Sequence, residues 1–232
     1  MNYDRINIFL PTTYTRAMNG KLDLFLHSAQ KYCTDINQVC ISFLLDDNDE
    51  ITAKHIHELN LKFLYVILYY HGSTHLGKFY NYIYTHTPFN EQGTAVSMVG
   101  DDMEFQTQGW DTEILNTINA HNGQAVVYCN DGNQGKKLCV NLFTTREVVA
   151  RTEHQFMCES FGAYFIDTVW MKVAQGLKML HYLQDVKIIH HHYTKEGSKD
   201  DTSAGLDKVK LPFDVGFKKV YAYVNEVLKC AR

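Results

Sequence analysis

The chain has 232 residues, of which 45% are hydrophobic and 21% are charged, and its formal net charge is −4. This length and composition predict one globular domain, or one domain with an appended arm, around an ordinary apolar core. The charge disfavours a general nucleic-acid-binding role, although a local basic groove is compatible with a near-neutral average.

The first half of the chain alternates apolar runs with helical patterns. Strands are predicted at 6–11, Val39–Leu45, 62–70 and 94–100, with a helix in each interval. These strands are apolar throughout, which is typical of a mostly parallel sheet covered on both faces. Right-handed crossovers then place helices on both sides of the sheet.

The second half is less regular. A helix is predicted to end at Asn122–Gly123, another helix begins near Asp167, and an amphipathic helix closes the chain at 217–230. The remaining predicted elements are strands at 125–129 and 138–143, a short capped helix at 144–152, a strand pair at 178–183 and 186–192, and a mobile polar loop at 194–205.

Two of the predicted strands end on paired carboxylates. Asp46 and Asp47 follow the second strand, and Asp101 and Asp102 follow the fourth. The carboxyl ends of parallel strands meet at one edge of a sheet, where ligands bind. Mg²⁺ and Mn²⁺ prefer oxygen ligands and share their remaining positions with substrate phosphates. The pairs are interpreted either as turn and cap residues or as ligand contacts, with a metal at Asp101–Asp102.

Three consecutive histidines end the last predicted strand. Because side chains alternate along a strand, His190 and His192 are expected on one face and His191 on the other. Neutral imidazole is a frequent metal ligand. Alone, the cluster is better explained as surface or partly buried histidines. Together with a carboxylate pair, it favours a mixed Asp/His metal site.

Three further features have two interpretations each. Asp167 opens a helix, where capping accounts for it, and its functional interpretation is a catalytic base. Lys78 and Asn81 lie one helical turn apart and belong either to a solvated helix face or to a site for a phosphate or base. Trp110 belongs to the core or to a pocket wall.

The order of these motifs resembles that of GT-A-fold glycosyltransferases of the family 2 type, including small phage and bacterial members. The resemblance covers roughly residues 5–195 and consists of the segments FLPTTYTRA, LLDDND, GKFYN, GDDMEFQTQGWD, FIDTVW and DVKIIHHH. It implies a Rossmann-like α/β fold with a small antiparallel acceptor-side portion. It also implies a single catalytic domain over 1–232, with a nucleotide-sugar half at 1–105 and an acceptor half at 106–232.

The resemblance also implies roles for individual residues. Metal binding is implied for Asp102 with His190 or His192, and general-base catalysis for Asp167. Nucleotide binding is implied for Pro11, Thr12, Arg16, Asp46, Lys78, Asn81 and Asp101, with Asp46 on the base and Asp101 on the ribose or metal. The chain departs from the family pattern in three places. GDD replaces a D-x-D motif, ID replaces the usual ED pair, and three consecutive histidines leave the choice of metal ligand open.

The implied reaction is a Mn²⁺- or Mg²⁺-dependent, inverting transfer from a nucleoside-diphosphate sugar, a UDP-sugar first, to an acceptor hydroxyl. The acceptor is open between a hydroxymethylated DNA base, a glycan, a protein and a small molecule. One alternative is a sugar-nucleotide nucleotidyltransferase, against which the missing Gly-rich phosphate loop argues. The other is a non-catalytic carbohydrate- or nucleotide-binding module.

Three features predict the compartment. No apolar run reaches the roughly 18–20 residues of a membrane span, and the first residues do not resemble a secretory signal. The six cysteines form no CxxC pair, so reduced thiols are the simpler interpretation. A cytoplasmic protein is therefore predicted, or one of the host cytoplasm if the source is viral.

Overall fold

The computed structural model describes residues 2–70, 76–87, 93–152, 156–161, 165–191 and 213–230. The strands are β1 (Arg5–Pro11), β2 (Val39–Leu45), β3 (Tyr65–Tyr70), β4 (Thr94–Met98), β5 (Met103–Phe105), β6 (Val126–Asn130), β7 (Leu142–Thr145) and β8 (Leu180–His190). The α-helices are α1 (Tyr14–Met18), α2 (Lys21–Tyr32), α3 (Glu50–Glu58), α4 (Leu76–His86), α5 (Trp110–Ala120), α6 (Arg146–Val149), α7 (Ile166–Gly176) and α8 (Phe213–Cys230). Short 3₁₀ helices lie at Ile36–Gln38, Gly135–Lys137 and Glu159–Phe161.

The described strands form one mixed sheet in the order β3-β2-β1-β4-β7-β6-β8-β5. The pairs β2–β3, β1–β2, β1–β4 and β6–β8 are parallel, whereas β7 runs antiparallel to β4 and β6, and β5 runs antiparallel to β8. Strands β1, β2, β4 and β8 therefore all end at the same edge, which we call the carboxyl edge. This arrangement confirms the predicted mostly parallel α/β architecture with a small antiparallel portion.

Helices cover both faces of the sheet, as the apolar strands predicted. Along β1, Ile6, Ile8 and Leu10 face one core and Phe9 faces the other. Helices α2, α3 and α5 pack on the first face, and α4, α6, α7 and α8 pack on the second. Within the described ranges, no helix is both long and apolar enough to cross a membrane.

The predicted strand pair at 178–183 and 186–192 is wrong, because β8 is one continuous strand. Gln184 and Asp185 look like a break in the sequence, yet they are exposed residues within the strand. The first part of β8 pairs with β6 and its last three residues pair with β5, so both halves are held by neighbours. A register shift in the β6 pairing, between Cys129 and Asn130, accommodates the single strand.

Two other predictions can be compared with the structure, and a third cannot. Trp110 is a core residue, fully buried, with its indole N–H donating to the carbonyl of Ala29 at 3.1 Å. The strand predicted at 138–143 is shifted to Leu142–Thr145, because Asn141 turns its carboxamide onto the backbone N–H of Cys129 at 2.6 Å. The loop predicted at 194–205 lies outside the described residues.

Candidate functional site

The order of elements brings four segments to the carboxyl edge. The β1–α2 connection begins there with Thr12 and carries Arg16. Asp101 and Asp102 follow β4, and His190 is the last residue of β8. Only a short link, 177–179, joins α7 to β8, so the helix runs back along the sheet and its first turn, with Asp167, also lies at this edge.

The carboxylates of Asp101 and Asp102 are held by the β1–α2 connection. Thr12 Oγ1 donates to Asp101 Oδ2 at 2.7 Å. The Arg16 guanidinium reaches both acids, with Nη1 3.2 Å from Asp102 Oδ2 and Nε 3.7 Å from Asp101 Oδ1. Gly100 makes room for this turn, since a Cβ there would lie 2.6 Å from Asp102 Oδ1.

The pairing of β5 with β8 places a histidine beside this acidic pair. In the ladder, Met103 lies opposite His190, and the backbone N–H of His191 donates to the carbonyl of Asp102 at 2.9 Å. His190 Nε2 is 3.4 Å from Asp102 Oδ1. The acidic end of one strand and the histidine end of another, far apart in sequence, are therefore direct neighbours.

The two adjacent aspartates have opposite pKa shifts. Burial raises the pKa of Asp101 to about 6, although Arg16 partly offsets this effect. Burial also opposes ionisation of Asp102, but its hydrogen bond with His190 and the charges of His190 and Arg16 lower its pKa to about 2. Asp102 is therefore the carboxylate that stays ionised, as a metal ligand must.

Asp167 lies in the first turn of α7 and is buried enough for its pKa to rise. Its Oδ1 accepts from the backbone N–H of Thr168 at 2.6 Å, which opposes that rise. The charge of His190 also lowers the pKa of Asp167, as it does that of Asp102. His190 thus interacts electrostatically with both acids, and the contacts of Asp102 with His190 and Arg16 form one charged cluster beside which Asp167 lies.

Three other residues that are predicted to contact the nucleotide lie on β1, just beyond β2 and on α4. Pro11 ends β1, opposite Leu44 in the ladder. Asp46 lies at the surface just beyond β2, and partial burial of its carboxyl group, followed by the charges of Asp49 and Asp47, raises its pKa. Lys78 is exposed in the first turn of α4. All three roles stay predictions.

Asn81 is engaged in contacts within the fold. Its Nδ2 donates to the carbonyl of Met157 at 2.9 Å and to Glu159 Oε1 at 3.0 Å, and its Oδ1 accepts from the N–H of Met157 at 2.7 Å. These bonds tie α4 to the segment 156–161. Its nucleotide-binding role stays a prediction.

The cluster fits a divalent cation that has few protein ligands. Across the described residues, no group of three or more His, Cys, Asp and Glu side chains is placed to hold a metal. Asp102 and His190 nevertheless supply one ionised carboxylate and one imidazole at adjacent positions. Mg²⁺ and Mn²⁺ sites of this type leave their other positions to substrate phosphates and water. His192 lies outside the described residues.

Asp131 lies beside the site and was not predicted from the sequence. Asp131 is buried in the Gly-rich loop after β6, where its carboxylate accepts from the N–H groups of Gln134 and Gly135 at 2.8 and 2.7 Å. Its carbonyl accepts from the N–H of His190 at 3.0 Å. An Asp followed by Gly and Asn is a recognisable turn signal. Its position beside His190 depends on the β6–β8 pairing, which no local pattern encodes.

No family model matches the chain. A comparison with curated proteins also finds no match. Among solved structures, TarS residues 1–349 from S. aureus in complex with UDP-GlcNAc has a TM-score of 0.59 and 14% identity, covering 79% of this chain and 57% of that one. Mannosyltransferase PcManGT from Pyrobaculum calidifontis, in complex with GDP-Man and Mn²⁺, has a TM-score of 0.62 and 12% identity, covering 100% and 74%. The chain has the GT-A fold.

At these identities the likeness shows the fold alone. The matched region is 36% of the longer TarS structure, so the chain spans about a third of that protein. Within the GT-A fold of this chain, the carboxyl edge combines an ionised carboxylate, an imidazole and a second acid of raised pKa. Such a set is able to bind a cation with an anionic ligand and to accept a proton nearby.

Proposed function

We propose that this protein is a metal-dependent glycosyltransferase that moves a sugar from a nucleoside-diphosphate sugar to an acceptor hydroxyl. The observation that carries the proposal is the 3.4 Å contact between His190 Nε2 and Asp102 Oδ1. Asp167 is near enough for the charge of His190 to lower its pKa. Two proteins of the same fold support the donor class. TarS is in complex with UDP-GlcNAc and with UDP, and PcManGT with GDP-Man and Mn²⁺. A UDP-sugar is the first donor to test.

Asp102 and His190 would hold Mn²⁺ or Mg²⁺, with His192 as a further ligand from the segment that follows. When bound, the cation neutralises negative charge that develops on the departing nucleoside diphosphate. Asp101 has a different role, since Thr12 and Arg16 hold its carboxylate against the β1–α2 connection. It would position that connection and contact the donor ribose.

Asp167 would act as the general base. Its carboxylate takes the proton from the acceptor hydroxyl while the hydroxyl oxygen bonds to the anomeric carbon. The bond from that carbon to the diphosphate oxygen breaks, and its electron pair leaves with the nucleoside diphosphate. A single displacement of this kind inverts the anomeric configuration. The raised pKa of Asp167 favours proton acceptance near neutral pH.

The nucleotide would lie over the ends of β1 and β2. Pro11 and Thr12 would form the floor of this site, with Arg16 on the phosphate side. Asp46 would accept a hydrogen bond from the base. Lys78 and Asn81, from α4, would border the opposite side.

Donor turnover is the direct test of this function. The wild-type protein is incubated with UDP- and GDP-sugars and Mn²⁺, and released nucleoside diphosphate is measured. We expect Mn²⁺-dependent release that Asp102→Asn nearly abolishes and that Asp185→Asn, at an exposed aspartate of β8, leaves intact. Wild type that neither binds nor turns over any donor refutes the proposal. Release of pyrophosphate from a nucleoside triphosphate and a sugar phosphate indicates a nucleotidyltransferase instead.

The acceptor class needs a separate test. Each donor that is turned over is offered with hydroxymethylated DNA, glycans, a peptide and small alcohols, and transfer is followed by the mass increase of one sugar. Hydroxymethylated DNA is the acceptor of choice if the likeness to small phage enzymes extends to function. Transfer to a glycan, a peptide or a small alcohol, with none to DNA, assigns the acceptor to that class instead.

A further inference from the structure

A small pocket adjoins Asp102 on the side of α2. Its volume is about 140 Å³, which is below the roughly 300–1,000 Å³ of sites that enclose a drug-sized ligand. It therefore has room for one part of a larger ligand. We call it the Lys21 pocket, and it is lined by Asn19, Gly20, Lys21, Leu24, Asp102 and His191.

The local sequence fixes the position of Lys21 in this pocket. Gly20 has a φ of 77°, a left-handed conformation that favours glycine, and it starts α2 abruptly after α1. Asn19 Oδ1 accepts from the backbone N–H of Lys21 at 3.1 Å. The Lys21 Nζ lies 3.4 Å from the carbonyl of His191, whose own N–H donates to the carbonyl of Asp102. Lys21 thus contacts His191, the residue that follows the candidate metal ligand His190.

The charges around the pocket select the class of ligand. Its lining includes Lys21 and Asp102, and the charge of Lys21 helps to lower the pKa of Asp102. A divalent cation on Asp102 would reverse the charge of that wall and leave two positive centres facing one small space. An anionic oxygen gains most from such a space, because charge-assisted hydrogen bonds are the strong ones. A neutral sugar hydroxyl gains less, and a second cation is repelled.

We propose that Lys21 is a donor-binding residue that holds phosphate oxygens of the nucleoside diphosphate in the Lys21 pocket. This inference rests on the proposed function and adds a residue to that site. The size of the pocket matches one end of the diphosphate, and its shared wall, Asp102, connects it to the proposed cation position. The nucleoside and the sugar lie outside the pocket.

The test is calorimetric titration of the full chain with UDP and GDP in the presence of Mn²⁺. Lys21→Gln keeps the length of the side chain and removes its charge, and we expect it to raise the dissociation constant ~10-fold or more. Lys21→Arg should stay within ~3-fold of wild type, since a charged donor remains. Lys31→Gln, at an exposed lysine in the last turn of the same helix, is the matched control and should leave the affinity unchanged.

A second measurement does not depend on any variant. Wild-type protein is acetylated at its lysines with and without UDP and Mn²⁺, and the modification of each lysine is followed by mass spectrometry. We expect the nucleotide to slow acetylation of Lys21 several-fold and to leave that of Lys31 unchanged. Equal rates at Lys21 overturn the inference, even if Lys21→Gln fails to fold.

The outcomes separate this inference from the function on which it rests. Wild type that binds nucleoside diphosphate, with the same affinity in Lys21→Gln, refutes the role of Lys21 and leaves the glycosyltransferase proposal standing. Wild type that binds no nucleoside diphosphate at all refutes both.

Discussion

Arg16 donates from Nη1 to Oδ2 of Asp102 across 3.2 Å, so a protein cation already contacts the carboxylate that we propose as a metal ligand. Both side chains are largely buried, with 11% and 13% of their surfaces exposed. In a pair so shielded from water, removing one partner leaves the other charge poorly compensated, which is strongly destabilising. A divalent cation on Asp102 must therefore share this carboxylate with Arg16 or displace it.

Replacing Arg16 should make the protein more dependent on metal. In Arg16→Gln, the uncompensated acids should lower the melting temperature, and Mn²⁺ should restore part of it because the cation then has no competitor. We expect a larger Mn²⁺-induced thermal shift in Arg16→Gln than in wild type, without nucleotide. Arg5→Gln, at a largely exposed arginine, is the control. An equal shift in both proteins would show that Arg16 does not compete with the metal.

Asp101 should make folding stability fall as the pH rises. Its pKa is about 6 in the folded protein against an ordinary 3.8, so between these values the folded state binds more protons than the unfolded state. The contribution of protonated Asp101 to the free energy of unfolding is complete below the ordinary pKa and is lost as the pH rises through 6. At 1.36 kcal/mol per pKa unit, its size is about 3 kcal/mol.

Urea unfolding of wild type and Asp101→Asn from pH 4 to pH 7, in the presence of a chelator, measures this contribution. Because the unfolded aspartate is already partly ionised at pH 4, the free energy of unfolding of the variant should rise by about 2 kcal/mol relative to that of wild type over this range. The titration of Asp102 falls near pH 2 to 4 and does not overlap. If the difference between the two free energies of unfolding does not change with pH, burial does not raise the pKa of Asp101.

Asp167→Asn should separate donor binding from transfer. The amide keeps the shape and an oxygen acceptor for the N–H of Thr168, but it does not accept a proton from the acceptor hydroxyl. We expect kcat to fall ~10²- to 10⁴-fold while the donor dissociation constant changes less than about threefold. The measurement is steady-state transfer together with calorimetric donor titration. Transfer at the wild-type rate would exclude Asp167 as the base.

Asp131 should support the metal site through the backbone of His190. In Asp131→Ala, the N–H groups of Gln134 and Gly135 lose their carboxylate, which should lower the free energy of unfolding by about 2–4 kcal/mol. The loop that accepts from the His190 N–H should then shift, and Mn²⁺ affinity should drop several-fold. Asp131→Asn keeps one acceptor oxygen, so its free energy of unfolding and its Mn²⁺ affinity should lie between those of wild type and Asp131→Ala. Full Mn²⁺ affinity in a destabilised Asp131→Ala would restrict Asp131 to a structural role.

The sequence was sufficient to predict the edge at which the site lies. Uniformly apolar strands indicated a buried parallel sheet, and the ends of parallel strands share one edge. Asp46 and Asp101 were therefore expected at the same edge, whereas His190 was joined to them by the family resemblance. The fold class followed from the same alternation of strands and helices, and it is confirmed.

The contacts within the site were not predictable in the same way. The pairs Arg16–Asp102 and His191–Glu104, the latter at 3.0 Å between Nε2 and Oε2, depend on which strands are neighbours and in what register. The periodicity of apolar residues and the propensities of residue types indicate local structure only. The reading of 178–192 as two strands failed for the same reason, since an exposed Gln-Asp pair looks like a turn when the neighbouring strands are unknown.

The pairing of β5 with β8 has a consequence for how the protein folds. This contact pairs Met103–Phe105 with Ile188–His190, two segments that are separated by most of the second half of the chain. Contacts between residues so far apart in sequence form slowly. The first three strands are able to associate through nearer contacts while the proposed metal ligands are still apart. During refolding, tight Mn²⁺ binding should accordingly appear as a late phase, after most of the secondary structure.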